Sequence, residues 1–247
     1  MKIFDAHFHI VNFDFPLVEN KGYLPPEFTI DDYKTRMNDY EVSGGALVSG
    51  SFQAFDQTYL LHALNQLGSN FVGVANIPAD ISHEKLVQLA EAGVRAVRFN
   101  IVRGSPKQLE TMVNLSNRLH EKFGWHSELY IRNNSLQNIW DILQQLPPFS
   151  IDHLGLTKDG IDKLFELVDQ GIKVKATGFG RLDFSPIALM KKIYSINAEA
   201  LLFGTDLPST RAKEPFSSGD IDLIKDHFSK EQQEQIFYKN AEKWYKL

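Results

Sequence analysis

Phe4-Asp5-Ala6-His7-Phe8-His9-Ile10 sets a His-x-His pair among apolar neighbours close to the start of the chain. Side chains two apart on an extended strand project to the same side, so His7 and His9 are expected together at the end of a first strand. Alone, the pattern is ordinary strand decoration. Its meaning depends on whether later strand ends bring partners to it.

Outward from that stretch, Lys2 to Ile10 reads as the first strand, followed by a segment from Val11 to Phe28 punctuated by Pro16, Pro25 and Pro26. A segment that long without periodicity is usually functional or mobile, which makes it the natural candidate for a lid. Thr29-Ile-Asp-Asp32 opens a helix to Val42 with a capping-box start. Gly45 to Ser51 is the second strand, Phe55 to Leu67 a helix, and Asn70 to Ile77 the third strand. Ser82 caps a helix to Ala92, Gly93 stops it, and Val94 to Ile101 is the fourth strand. Ser105-Pro106 starts a long helix ending near Phe123-Gly124. Trp125 to Ile131 is the fifth strand, Ser135 to Leu146 helical, Phe149 to Leu154 the sixth strand, and Lys158 to Gln170 a helix. Ile172 to Gly178 is the seventh strand, Ser185-Pro186 opens another helix, and Ala200 to Asp206 is the eighth strand. Terminal helices are expected over Ser218 to Phe228 and Ser229 to Tyr245. Eight strands alternating with helices are the count of a (β/α)8 TIM barrel forming one domain over residues 1–247. An open doubly wound sheet has the same periodicity.

Composition narrows the function classes. A formal charge of −5 gives no basic footprint for nucleic acid or an anionic membrane surface. There is no cysteine, hence no disulfide, thiol nucleophile or thiolate metal site. No leader and no apolar run long enough to cross a bilayer are visible, so a cytoplasmic location is expected.

Function in a parallel barrel gathers where strands end. Those ends carry His7 and His9, Ser49 and Ser51, Asn76, Arg98 and Asn100, then His126, Glu128 and Tyr130, then His153, Arg181 and Asp206. This ordered set resembles the amidohydrolase superfamily, which places His-x-His after strand one, His after strand six and Asp after strand eight. Val97-Arg-Phe-Asn100, Trp125-His126 with Tyr130, Ile151-Asp-His-Leu-Gly155, Val174 to Gly178 followed by Arg181, and Phe203 to Pro208 resemble most the 2-pyrone-4,6-dicarboxylate hydrolase-like lactonases.

That resemblance implies a hydrolase that opens a small carboxylated lactone. Asp206 would act as general base, with His7, His9 and His153 polarising the carbonyl. Arg98 and Arg181 match the arginines that grip substrate carboxylates, whereas Arg103 stands one position out of register with a further one. Tyr130, Ser49, Ser51 and Tyr23 are candidate hydrogen-bond donors to substrate. Plainer readings stand beside each: a helix cap for Asp206, a satisfied core histidine for His153, surface ion pairs for the arginines. His62, His83, His120 and His227 read as structural or exposed, and the aromatic stripe from Phe228 to Tyr245 as packing.

No lysine stands at the ends of strands four or five, which argues against a lysine-bridged pair of metal ions. Either no cofactor or one zinc ion on His7, His9, Asp206 and Glu128 is compatible with the residues. A zinc-dependent decarboxylase of small acids and a non-catalytic barrel that binds small carboxylates remain alternatives. The expected partner is a small anionic substrate, and a homo-oligomer is left open.

Overall fold

The computed structural model describes residues 1–102 and 106–246; Arg103 and the Ser105 cap lie outside them. Strands β1 (Lys2–Phe8), β2 (Glu41–Val48), β3 (Phe71–Ala75), β4 (Val94–Asn100), β5 (His126–Tyr130), β6 (Phe149–Ile151), β7 (Lys173–Ala176) and β8 (Leu201–Phe203) pair in parallel, each with the next. Past the last strand the sheet returns to the first. Asp206 N donates to the His7 carbonyl at 2.7 Å, and His9 N to the Leu207 carbonyl at 2.7 Å. Eight strands therefore form a nearly closed barrel, as their number and order in the sequence predict.

Two cores hold it. Phe4, Ala6, Ala46, Val48, Val72, Val74, Ala96 and Leu202 meet inside the barrel, where Tyr245 of the last helix packs against them. Ile3, Phe8, Leu47, Val97, Leu129, Ile151 and Val174 belong to a larger cluster shared with the helices. With both faces buried, the strands read as near-continuous apolar runs.

The β1/β2 register explains how the opening stretch satisfies both faces. Asp5 pairs with Gly45 but Phe8 with Leu47, so β1 carries one residue more than its neighbour across that step. Such a bulge reverses the side-chain phase. Phe4 and Ala6 point into the barrel before it, while after it Phe8 and Ile10 join the outer core. His7 and His9 thereby inherit the inner face at the barrel's mouth.

Helices α1 (Ile30–Arg36), α2 (Thr58–Leu67), α3 (His83–Glu91), α4 (Pro106–Phe123), α5 (Asn133–Leu136), α6 (Trp140–Leu143), α7 (Ile161–Asp169), α8 (Pro186–Ile196), α9 (Ser218–His227), α10 (Lys230–Glu234) and α11 (Asn240–Tyr245) fill the connections. Thr29 and Ser229 form the expected capping boxes with Asp32 and Gln232, and Ser82 accepts from Lys85 N.

Three boundaries differ from expectation. The first helix stops at Arg36 rather than Val42, and β2 begins at Glu41, because Glu41 and Val42 are recruited to pair with Lys2 and Ile3. The stretch read as one helix from Ser135 to Leu146 is broken by a 3-10 turn at Gln137–Ile139. The final helix contains a π turn at Gln235–Lys239, which lets both Ile236 and Phe237 bury.

Strands six and eight also end sooner than their apolar runs. His153 and Asp206 stand just beyond them with φ of 52° and 60°. Left-handed backbone at non-glycine residues costs on the order of 1 kcal/mol each and takes the chain out of the ladder.

Candidate active site

The mouth of the barrel opens into a cleft lined by His9, Ser51, Arg98, Tyr130, His153, Arg181 and Asp206, with Asn20 and Tyr23 from the first loop. At its floor, Asp206 is fully buried. Its Oδ2 accepts from Arg181 Nε at 2.6 Å, whereas its Oδ1 has no hydrogen-bond partner among the described residues. Three imidazole Nε2 atoms surround that bare oxygen, from His9 at 3.7 Å, His7 at 3.9 Å and His153 at 4.0 Å. Residues from β1 and from the turns after β6 and β8 thus converge on one point.

Local sequence makes the convergence possible. Gly204 lets β8 lie against β1, for a Cβ there would sit 2.6 Å from His7 N. Gly178, at φ 60°, makes room for His153, whose Nδ1 would lie 2.8 Å from an added Cβ. Asp5 gathers His7 N, Thr205 N, Thr205 Oγ1 and Tyr33 Oη as donors, pinning the β8 turn to β1. Burial pushes the Asp5 carboxyl up to about 6 despite these bonds.

The back of each imidazole sets what its front presents. His9 Nδ1 lies 2.6 Å from the Val48 carbonyl, an acceptor only, so the proton of neutral His9 sits on Nδ1 and Nε2 faces the cleft as a lone pair. His153 Nδ1 lies 2.7 Å from Thr177 Oγ1, which can donate or accept. His7 Nδ1 has Asp152 Oδ1 at 3.5 Å and Lys175 Nζ at 3.5 Å, an acceptor and a donor. Burial holds His7 down to about 3 and His153 well below the usual imidazole range, so both are neutral near pH 7. Burial alone would raise Asp206, but Arg181 and the histidines outweigh it and keep it ionised far below the ordinary carboxylate range.

Sequence reading missed two members of this centre. Asp152 is fully buried and takes Arg98 Nε and Nη2 on Oδ2 at 3.1 and 2.9 Å. Lys175 is also fully buried, reaching Glu128 Oε2 at 2.5 Å and the Ala6 carbonyl at 2.8 Å. Both were signalled: Asp152 adjoins His153, and a lysine between Val174 and Ala176 in a two-sided strand must bury its charge.

Three of the buried carboxylates have a cation each: Asp206 with Arg181, Asp152 with Arg98, Glu128 with Lys175. Glu128 lies beneath the histidines, where Tyr245 Oη donates to its Oε1 at 2.6 Å and His126 Nε2 stands 3.2 Å away. Ser49 is buried as well, its hydroxyl taken by Tyr59 and its carbonyl by Arg98 Nη1. Tyr130 lines the cleft beside His153, ring centroids 5.5 Å apart. Of the histidines read as structural, His62, His120 and His227 bond within or next to their own helices, and His83 is exposed.

Two sets of donor atoms, His7, His9 and Asp206, and His7, Asp152 and His153, are each grouped closely enough to hold a metal ion. The buried, unpartnered His7 Nε2 and Asp206 Oδ1 and the outward lone pair of His9 are the donors such an ion uses, so the residues fit one. Glu128, expected as a further ligand, belongs to neither set among the described residues.

The buried histidines predict acid sensitivity. His7, His153 and His126 all bind protons less readily folded than unfolded, so stability is full above about 6.5 and is lost as pH falls toward 3. Asp5 and Asp220, each raised to about 6, pull oppositely between roughly 4 and 6. From about pH 6.5 down to 6 the histidines act alone, and below that the three depressed histidines oppose the two raised aspartates, so unfolding takes up protons overall. Urea midpoints should therefore fall between pH 7 and 5, and His7→Gln should flatten the trend; a midpoint that rises on acidification would contradict it.

A parallel barrel whose mouth brings His7, His9, His153 and Asp206 to one point matches the arrangement that the resemblance to amidohydrolases implies. The chain belongs to the amidohydrolase family, whose model matches residues 4–247. It is 28% identical over 158 residues to the 2-pyrone-4,6-dicarboxylate hydrolase of Comamonas testosteroni, a match covering 61% of this chain and 51% of that one. The matched part thus spans about half the length of that relative. A 4-sulfomuconolactone hydrolase of Hydrogenophaga intermedia is 25% identical over 260 residues, covering 96% of this chain and 86% of its own. A crystal structure from Acinetobacter baumannii with citric acid bound superposes with a TM-score of 0.83 at 22% identity, covering 100% of both chains. Among the described residues, no helix is long and apolar enough to cross a membrane.

Proposed function

We propose that this chain opens a small anionic lactone by adding water to the ring carbonyl. The observation that carries the reading is the bare Asp206 Oδ1 ringed by three imidazoles at 3.7 to 4.0 Å. A water placed there meets a carboxylate that takes its proton as the oxygen attacks. The histidines then face the oxyanion that forms.

Their parts are not equal. His7 offers an Nε2–H to the oxyanion when Lys175 occupies its Nδ1, and His153 does so when Thr177 donates to it. Neutral His9 has no proton to give from Nε2, so it takes a proton from water or orients it; a donor role requires imidazolium. Arg98 gives Nε and Nη2 to Asp152 and Nη1 to the Ser49 carbonyl, Arg181 gives Nε to Asp206 and Nη2 to the Thr210 carbonyl, and both side chains line the cleft. They hold an anionic substituent against those two carboxylates.

A metal ion held by His7, His9 and Asp206 would supply Lewis-acid activation of the same water. The three resident cation–carboxylate pairs support proton transfer by the side chains themselves.

A panel of lactones, including 2-pyrone-4,6-dicarboxylate and 4-sulfomuconolactone, with elemental analysis and turnover before and after chelation, tests both parts. Ring-opened acid from a carboxylated or sulfonated lactone, with activity retained after chelation, is the expected result. Stoichiometric metal whose removal abolishes turnover would replace the side-chain scheme. Carbon dioxide in place of a ring-opened acid would replace the lactonase reading with a decarboxylase.

A further inference from the structure

We infer that Arg211, in the loop after β8, forms a separate anion subsite at the outer wall of the cleft and makes the enzyme select dianionic over monoanionic substrates. The inference rests on the lactonase reading for what the second anion belongs to, but its geometry is independent of the reaction.

Three arginines line the cleft, Arg98, Arg181 and Arg211. The first two are each neutralised by a buried aspartate. Arg211 is exposed, and among the described residues no carboxylate pairs with it. Its Nη2 donates to the Asn20 carbonyl, and its guanidinium lies over the Tyr23 ring at 4.5 Å from the centroid. The first loop thereby props the guanidinium at a fixed place on the wall without cancelling its charge. The pairs below sum to zero, so Arg211 contributes an excess positive charge at the mouth.

A planar fork stacked on an aromatic ring is preorganised for a carboxylate or sulfonate, because little side-chain entropy remains to be lost. A substrate whose first anion reaches Arg98 and whose second reaches Arg211 is held at two points of the lining. A monoanion engages one point only. Arg103, the other arginine considered for such a contact, lies outside the described residues, whereas Arg211 stands on the cleft wall itself.

The test uses isophthalate and benzoate, rigid and inert probes that differ by one carboxylate, titrated calorimetrically into the full chain and into Arg211→Gln and Arg211→Lys. Wild type should bind isophthalate at least tenfold more tightly than benzoate. Arg211→Gln should weaken isophthalate by tenfold or more and benzoate by under threefold, and Arg211→Lys should restore most of the loss. Equal weakening of both probes would reduce Arg211 to a loop latch and overturn the inference, as would an unchanged isophthalate affinity in Arg211→Gln. Selective binding of isophthalate through Arg211 by a protein that hydrolyses no lactone would sink the lactonase reading and leave the subsite standing.

Discussion

Asp206→Asn should fold normally and turn substrate over at least ~10³-fold more slowly, a loss of ~4 kcal/mol of transition-state stabilisation or more. The side chain keeps its shape, and an amide oxygen can still accept from Arg181 Nε, which holds Oδ2 at 2.6 Å. What disappears is a group able to take a proton at Oδ1, the carboxylate oxygen that no hydrogen bond among the described residues occupies. Because the aspartate is ionised throughout the working range, the loss should be nearly independent of pH above about 5. The checks are kcat and kcat/KM from pH 5 to 9, with circular dichroism to confirm the fold. Turnover within tenfold of wild type would remove Asp206 as the base and shift the role to His9.

The second large effect is on stability. Lys175→Met should cost about 3 to 5 kcal/mol, because it strands Glu128 as a buried carboxylate without its cation. For a chain of this size that corresponds to a fall in Tm of roughly 10 °C. Lys175→Met combined with Glu128→Leu should recover most of the loss, since removing both charges also removes the need to pair them. A double variant as unstable as the single one would mean that Lys175 matters through the Ala6 carbonyl and His7 rather than through Glu128. Thermal melts of the three proteins decide between these outcomes.

How much of this could be read beforehand varied with the physics of each part. The barrel was legible because strand and helix periodicities and their Gly and Pro stops are local properties of the chain. His7, His9, His153, Arg181 and Asp206 were legible as positions because a parallel barrel sends every strand end to one rim. What those residues face was not. The phase reversal within β1 depends on pairing with Gly45 and Leu47, far away in sequence. The Val48 carbonyl that fixes the His9 tautomer and the Lys175 ammonium behind His7 come from other strands again. Arg211 was passed over because it lies in a loop, where no repeat marks a direction. Boundaries failed where pairing overrode local preference, as at Glu41, which pairs with Lys2.

The seam where strand eight meets strand one has one more implication. His7 and Asp206 are joined through the backbone bond from Asp206 N to the His7 carbonyl, across nearly the whole length of the chain. During synthesis the first histidines leave the ribosome long before the aspartate exists, and no N-terminal portion that stops short of Asp206 owns a complete reaction centre. Such a long-range contact forms late and slowly. A renaturation followed by turnover should therefore lag one followed by helical signal.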